Sequence, residues 1–233
     1  MRFALAFASR VNPIYSVKRL RPVHSNSTFA STLAERSSRT PCPGGRTINS
    51  MTQHFETSQW VPYPVELVFA FFSNPANLPH LMPPELKTRI EDARLTPPPP
   101  KPLNPDPTRR FTGVSAGIGS EILITFQPLR WVPKRIGWTA RITEFVWNSH
   151  FSDQQVHGPF ASFHHRHGIE SQTRDGVEGT LISDKIDFSL PFGPLGNIAY
   201  GLLRRQLTRQ FAHRQQRLPE ILAAVARQAT RRA

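Results

Sequence analysis

Cysteine is nearly missing from this chain: Cys42 stands alone among 233 residues. One thiol excludes an intramolecular disulfide framework and any zinc site built on cysteines. A reducing compartment is the simpler setting for such a chain. Long apolar runs are missing too. No stretch of about 18 apolar residues occurs, so no segment reads as a membrane-spanning helix. The hydrophobic content of 38% is still enough for a packed core. Acidic residues are scarce, 16 against 29 Lys and Arg, which leaves a net charge of +13. Such a balance suggests nucleic acid until its distribution is read. Residues 1–50 carry +7, residues 201–233 carry +7, and residues 51–200 sum to −1. The body is neutral and holds no nucleic-acid recognition motif, so nucleic acid is not an expected partner. GVSAGIGS, Gly113 to Ser120, lacks the GK[ST] ending of a phosphate loop and precedes a strand, so it reads as a flexible turn. No serine nucleophile elbow and no Cys–His arrangement is present.

Residues 1–50 are rich in Ser, Arg and Thr, poor in acids, and without an apolar period. One reading is an organellar transit peptide, since MRFALAFASR is too short in its apolar part for a secretory signal. The blander reading starts the functional chain at Met51, after an upstream extension or disordered tail. Under both, residues 1–50 stand apart from the fold, residues 51–218 form one domain, and residues 219–233 form a basic tail, helical in part. The expected location is cytoplasmic, or organellar if the transit reading holds.

From Met51 the texture changes. His54 to Val61 reads as a strand, and Pro64 starts a short apolar helix, Val65 to Phe72. Ser73-Asn74-Pro75 breaks it and caps a second short helix, Ala76 to Leu81. Leu86 to Asp92 reads as a strand. Thr96 to Pro107 holds seven prolines, a polyproline-like surface loop. It could serve as a ligand for a proline-binding module, though an extended loop between strands is far commoner. The alternating SEILITFQ after Gly119 is the next strand, followed by Ile136 to Val146, His150 to Val156, Phe160 to Ser171 and Glu178 to Ser189. Leu195 to Leu218 is a long helix, with Leu203, Leu207 and Phe211 at i+4 spacing and Ile198, Leu202 and Leu218 alongside. Arg204, Arg205, Arg209, Arg214 and Arg217 mostly fill its other face, and Pro219 kinks or restarts it. This order predicts an α+β fold. A curved antiparallel sheet of six or seven strands grips the long helix around an apolar cavity.

The order, together with three stretches, resembles the SRPBCC superfamily, which groups START, birch-allergen-like and polyketide cyclase/dehydrase domains. VPYPVELVFAFFSNPANLPHLMPPEL is similar to the family's opening strand and helix pair. FSDQQVHGPFASFHHRHGIES is similar to the Asp-x-Gln-x-x-Gly-Pro hairpin of a bacterial subgroup, with Phe163 where Trp would be expected. GTLISDKIDFSLPFGPLG is similar to that subgroup's last strand and approach to the helix. The resemblance covers roughly Gln53 to Leu218, and the polyproline loop is longer than it implies. It implies a helix-grip fold. Its members include lipid carriers, hormone receptors, cyclases and ubiquinone-binding proteins, so the fold does not choose the function.

The residues that carry chemistry lie on two strands. Alternation puts Phe163, His165, His167 and Ile169 on one face, and Thr180, Ile182, Asp184, Ile186 and Phe188 on one face of the last strand. His165, His167 and Asp184 are the candidate catalytic group. The cavity lining is Phe163, His165, His167, Ile169, Ile182, Asp184, Ile186, Leu203 and Leu207. Asp153 and Gln155 share a face of the preceding strand, in a direction that awaits the hairpin register. Such a group can do acid/base work, polarise a ligand carbonyl, or form an internal hydrogen-bond network. Two imidazoles and a carboxylate also form a known metal-ligand set, but no metal or cofactor is assigned. His157 and His164 are expected in solvent, and His213 on the polar side of the helix. The expected function is non-enzymatic binding of an apolar or aromatic small molecule, lipid, quinone or polyketide-like. The alternative is a cyclase- or dehydratase-like enzyme. The arginine-rich C-terminus is read as solvated surface, or as weak contact with anionic membranes.

Overall fold

In the computed structural model, which describes residues 52–128, 134–191 and 196–230, the chain opens with β1 (Gln53–Val61). Pro64 then serves as the N-cap of α1 (Val65–Phe72). The expected second helix is split: Asn74 caps a 3-10 turn, Pro75–Asn77, which runs into α2 (Leu78–Leu81). The next strand starts later than expected. Pro84–Leu86 forms another 3-10 turn, closed by Lys87 at φ 44, and only then does β2 (Arg89–Arg94) begin. Five strands follow: β3 (Glu121–Phe126), β4 (Ile136–Val146), β5 (His150–His157), β6 (Ser162–Arg174) and β7 (Val177–Ser189). The last element is α3 (Gly196–Thr230). Leu195, the expected start of the long helix, lies outside the described residues, as does the side chain of Ile198. No helix among the described residues is long and apolar enough to cross a membrane.

All seven strands join one antiparallel sheet in the order β1-β7-β6-β5-β4-β3-β2. Register shifts interrupt the β2/β3 and β4/β5 ladders. Such bulges bend a strand and raise its twist, which lets the sheet curl around α1 and α3. The result is the helix-grip α+β architecture.

The proline-rich segment is held at several points rather than free. Gly117 N–H donates to Thr96 O at 2.9 Å, Ser120 Oγ accepts from Thr96 N–H at 2.9 Å, and Trp147 Nε1 donates to Pro99 O at 2.8 Å. The stretch read as a flexible turn is anchored in its middle, while Val114 and Ile118 stay exposed. Ala116 is buried, and a Cβ on Gly117 would stand 2.6 Å from Pro97 O, so only glycine fits there.

The long helix does not stop at Pro219. A proline inside a helix leaves the carbonyl four residues earlier without its donor. Here that carbonyl belongs to Gln215, and Gln59 Nε2 of β1 donates to it at 2.8 Å. Gln215 Nε2 in turn donates to Thr57 Oγ1 at 3.0 Å. An edge strand thus repairs the defect, and the helix continues to Thr230. Leu222, beyond the proline, is fully buried, and Ile221 and Val225 pack beside it. Leu202, expected on the apolar stripe, is instead 71% exposed.

Two apolar clusters form the core. The larger joins α1, the middle strands and the C-terminal half of α3 through Phe69, Phe145, Phe151, Ile169, Ile182, Leu218 and Leu222. The smaller joins Phe163, Ile186 and Phe188 to Leu207 and Phe211 in the N-terminal half of α3. Truncating a fully buried leucine typically costs about 2–5 kcal/mol. Leu222→Ala should therefore lower urea-unfolding stability by that amount, while Leu202→Ala changes it by less than about 0.5 kcal/mol. Equal effects at both positions would contradict the packing described for the helix beyond Pro219.

Candidate functional site

A polar layer separates the two apolar clusters. Along β6 the inward residues run Phe163, His165, His167, Ile169; along β7 they run Ile182, Asp184, Ile186, Phe188. Each strand is apolar at both ends of this row and polar in the middle. The strand registers align the polar positions. His165 stands opposite Asp153 and Ile186, and His167 opposite Phe151 and Asp184. Asp153 therefore faces the same side as the histidines. Gln155 is used otherwise, its amide bridging to both N–H and carbonyl of Phe160 to close the β5–β6 connection.

The third wall comes from α3, where the expected surface residue Arg214 is buried. Its Nη1 donates to Asp184 Oδ1 at 3.0 Å and its Nη2 donates to Asp184 Oδ2, a bidentate pair. The guanidinium lies over the Phe211 ring at 4.5 Å and the Phe72 ring at 5.4 Å. The helical spacing explains this position. Leu207, Phe211, Leu218 and Leu222 form the buried stripe, and Arg214 falls on it between Phe211 and Leu218. Arg204, Arg205, Arg209 and Arg217 are exposed as expected.

Asp184, with no exposed surface, gathers the cluster. His165 Nε2 lies 3.0 Å from its Oδ1. His167 Nδ1 lies 2.9 Å from the same oxygen, close but not aligned as a hydrogen bond. On the far side of the rings, Asp153 Oδ2 is 3.9 Å from His165 Nδ1 and 3.6 Å from His167 Nε2. The two imidazole centroids are 3.8 Å apart, and Phe151 stacks on His167 at 4.4 Å. Asp153, His165 and His167 can bring one ligand atom each to within 4.8 Å of the others. That is a different carboxylate from the one the sequence pattern singles out.

The charges pull the two histidines apart. Burial alone would raise the Asp184 carboxyl, but the Arg214 charge, the hydrogen bonds from His165 and Arg214, and the close approach of His167 outweigh it and hold the group well below the usual carboxylate range. Burial, joined by the neighbouring His167, pushes His165 down. Burial also opposes charge on His167, yet its contacts with Asp153 and Asp184 prevail and raise it. One imidazole is thus biased to the neutral form and its neighbour to the charged form.

The nine residues expected to line a cavity have these places. Phe163, Ile186 and Leu207 are buried in the smaller cluster, with Leu203 packed partly buried beside them. Ile169 and Ile182 belong to the larger cluster. His165, His167 and Asp184 form the layer between. His157 is exposed, while His164 and His213 are half-buried. A cleft of about 340 Å³ between β1 and α3 reaches Phe211, whose ring centroid is 6.2 Å from that of His165.

The model of a family described as polyketide cyclase / dehydrase and lipid transport matches residues 61–215. No curated protein matches the chain. Similar solved structures include norcoclaurine synthase from Thalictrum flavum in complex with dopamine and hydroxybenzaldehyde, 14% identical with a TM-score of 0.47, covering 78% of this chain and 96% of that one. Ara h 8.0201 is 13% identical with a TM-score of 0.45, covering 71% and 97% of the two chains. Major latex-like protein 151 from Panax ginseng is 14% identical with a TM-score of 0.42, covering 72% and 99%.

Removing one member of a buried ion pair typically costs about 3–5 kcal/mol, because the other charge stays buried and alone. Arg214→Leu should show that loss at pH 7. In the unmodified chain, Asp184 contributes stability above its unfolded pKa of about 3.9 and loses it as the pH falls through its depressed folded value. In Arg214→Leu the guanidinium is gone and burial pushes the carboxyl up. Protonating it then relieves the folded state. The stability gap between the two chains, from urea unfolding, should narrow from pH 7 to pH 4. A gap unchanged across that range would mean that Arg214 acts by packing alone.

Proposed function

This chain belongs to the polyketide cyclase / dehydrase and lipid transport family, and we propose that it binds an apolar or aromatic small molecule, lipid, quinone or polyketide-like, between the sheet and the N-terminal half of α3. The family's description joins cyclases and dehydrases to lipid transport, activities that share the binding of a hydrophobic small molecule. The observation that carries the placement is the polar layer, a hydrogen-bonding spot walled by apolar residues on both sides. That is the composition of a ligand site, in which a few polar groups orient a mostly apolar guest. In this reading His165 and His167 receive the polar end. The apolar body lies along Phe163, Ile186, Leu203 and Leu207. The N-terminal half of α3 suits the guest, because its core residues Leu207 and Phe211 are 8% and 9% exposed, whereas Leu218 and Leu222 are at 0%. Arg214 holds Asp184 charged and fixed, so the layer keeps its shape whether or not a guest is present.

The opposed shifts of His165 and His167 favour a second reading, cyclase- or dehydratase-like catalysis. A neutral imidazole beside a protonated one is a ready base and acid. There His165 takes a proton at Nδ1, the nitrogen not bonded to Asp184, and His167 donates one to a developing oxyanion.

Native mass spectrometry of freshly purified full-length chain should detect a co-purified hydrophobic compound. Affinity for an n-alkylphenol series should rise by up to about 0.8 kcal/mol per buried methylene. That slope should persist in His165→Ala and His167→Ala, with only an offset. No dependence on chain length would refute the binding reading. If a substrate is found, loss of turnover by about 10²-fold or more in His165→Ala moves the assignment to the enzyme.

A further inference from the structure

We propose that Asp153, His165 and His167 form a binding site for one divalent first-row transition ion of the zinc or iron(II) class. This goes beyond the binding reading and does not depend on it.

The first support is the arrangement of ligand atoms. His165 Nδ1 and His167 Nε2 both face Asp153 Oδ2, at 3.9 and 3.6 Å, and the three ligand atoms lie within 4.8 Å of one another. Two ligands bonded to one ion at about 2.0–2.1 Å in a tetrahedral shell stand about 3.4 Å apart. The two Asp153 contacts reach that spacing with a contraction of a few tenths of an ångström, and the two imidazole nitrogens, within 4.8 Å of each other, close the remaining gap by ring rotation with no change of strand register.

The second support is what lies behind the rings. Each imidazole turns its other nitrogen to the same oxygen, Asp184 Oδ1, at 3.0 Å for His165 and 2.9 Å for His167. Metal-bound histidines almost always have an acceptor behind them, often a carboxylate, which sets the tautomer and directs the free lone pair at the ion; here His165 makes that hydrogen bond and His167 approaches the same oxygen without its alignment. One carboxylate serving two imidazoles orients both toward Asp153. Arg214 offsets the charge of Asp184, so the net negative charge left facing the cluster is that of Asp153. Stacking on Phe151 at 4.4 Å further fixes the His167 ring.

The third support is access. The side chains of His165 and His167 are each 13% exposed and that of Asp153 is 15%, whereas Asp184 is at 0%. The three ligands form the accessible side of the cluster, and the carboxylate behind them is sealed. Three protein ligands leave at least one coordination position free, the pattern of sites that present an ion to a guest rather than of closed structural sites. Imidazole donors select zinc, iron, cobalt or nickel over magnesium and calcium.

The test uses the full chain, stripped with chelator and titrated with Co²⁺ alone. One equivalent should bind and develop visible ligand-field absorption, Zn²⁺ should abolish that absorption, and excess Mg²⁺ should not. Asp153→Asn and His167→Gln, with unchanged far-UV circular dichroism, should each weaken Co²⁺ binding by at least about 10-fold. His54→Gln, remote from the cluster, should leave it unchanged. Should His167→Gln fail to fold, Asp153→Asn alone decides, because its side chain keeps its size at the accessible rim. Absence of stoichiometric binding, or binding that survives Asp153→Asn, overturns the proposal. No organic ligand is involved, so the metal site can fail while hydrophobic binding stands, and the reverse.

Discussion

The bidentate contact between Arg214 and Asp184 ties the long helix to the middle of the sheet, and the rest of the interior is arranged around it. A buried carboxylate is tolerable only with a partner. Asp184 sits at the centre of β7 with no exposed surface, so α3 must approach in the one register that brings Arg214 to it. That register places Leu207 and Phe211 on one side and Leu218 and Leu222 on the other. Apolar contacts alone would allow the helix to slide by a turn, since leucine meets leucine at many offsets. An ion pair in a dry site does not slide. A buried pair is weak evidence of stability by itself, but this one also fixes the oxygen that His165 bonds and His167 approaches at 2.9 Å.

The strand pattern of the sheet was legible because alternation and turn residues act over a few positions. β4 matches its expected bounds and α1 does the same. The inward faces of β6 and β7 were legible for that reason also. What escaped depends on partners far along the chain. Pro219 reads as a kink or restart of the helix until Gln59, 156 residues before Gln215, supplies the missing donor. Arg214 looks like one more cation on an arginine-rich helix until the stripe is extended through Leu218 to Leu222. Its spacing from Phe211 and Leu218 was the available signal. The direction of Asp153 required the β5–β6 register, which turn residues alone do not set.

The two halves of α3 then differ in a way that bears on function. The C-terminal half is fastened by Gln59 and Gln215 to β1 and packs Leu218 and Leu222 at zero exposure. The N-terminal half lacks such a fastening among the described hydrogen bonds and leaves Leu202 in solvent. Local opening costs least where the fewest buried contacts must break. The polar layer lies at the boundary between these two halves.

That boundary position also decides which groups a guest or an ion can reach. Asp184 and Arg214 satisfy each other and lie behind the imidazoles, so neither is free to act on a third species without breaking the pair. The groups on the accessible side of the pair are His165, His167 and, across from them, Asp153. Had the strand carried a leucine at position 184, each histidine would lose the contact that orients its ring, and the layer would be two loose imidazoles in a hydrophobic wall. The result is a sealed ion pair behind two partly exposed imidazoles, with the inner groups holding the outer ones. It follows from placing one acid on β7 opposite one arginine on the stripe of α3.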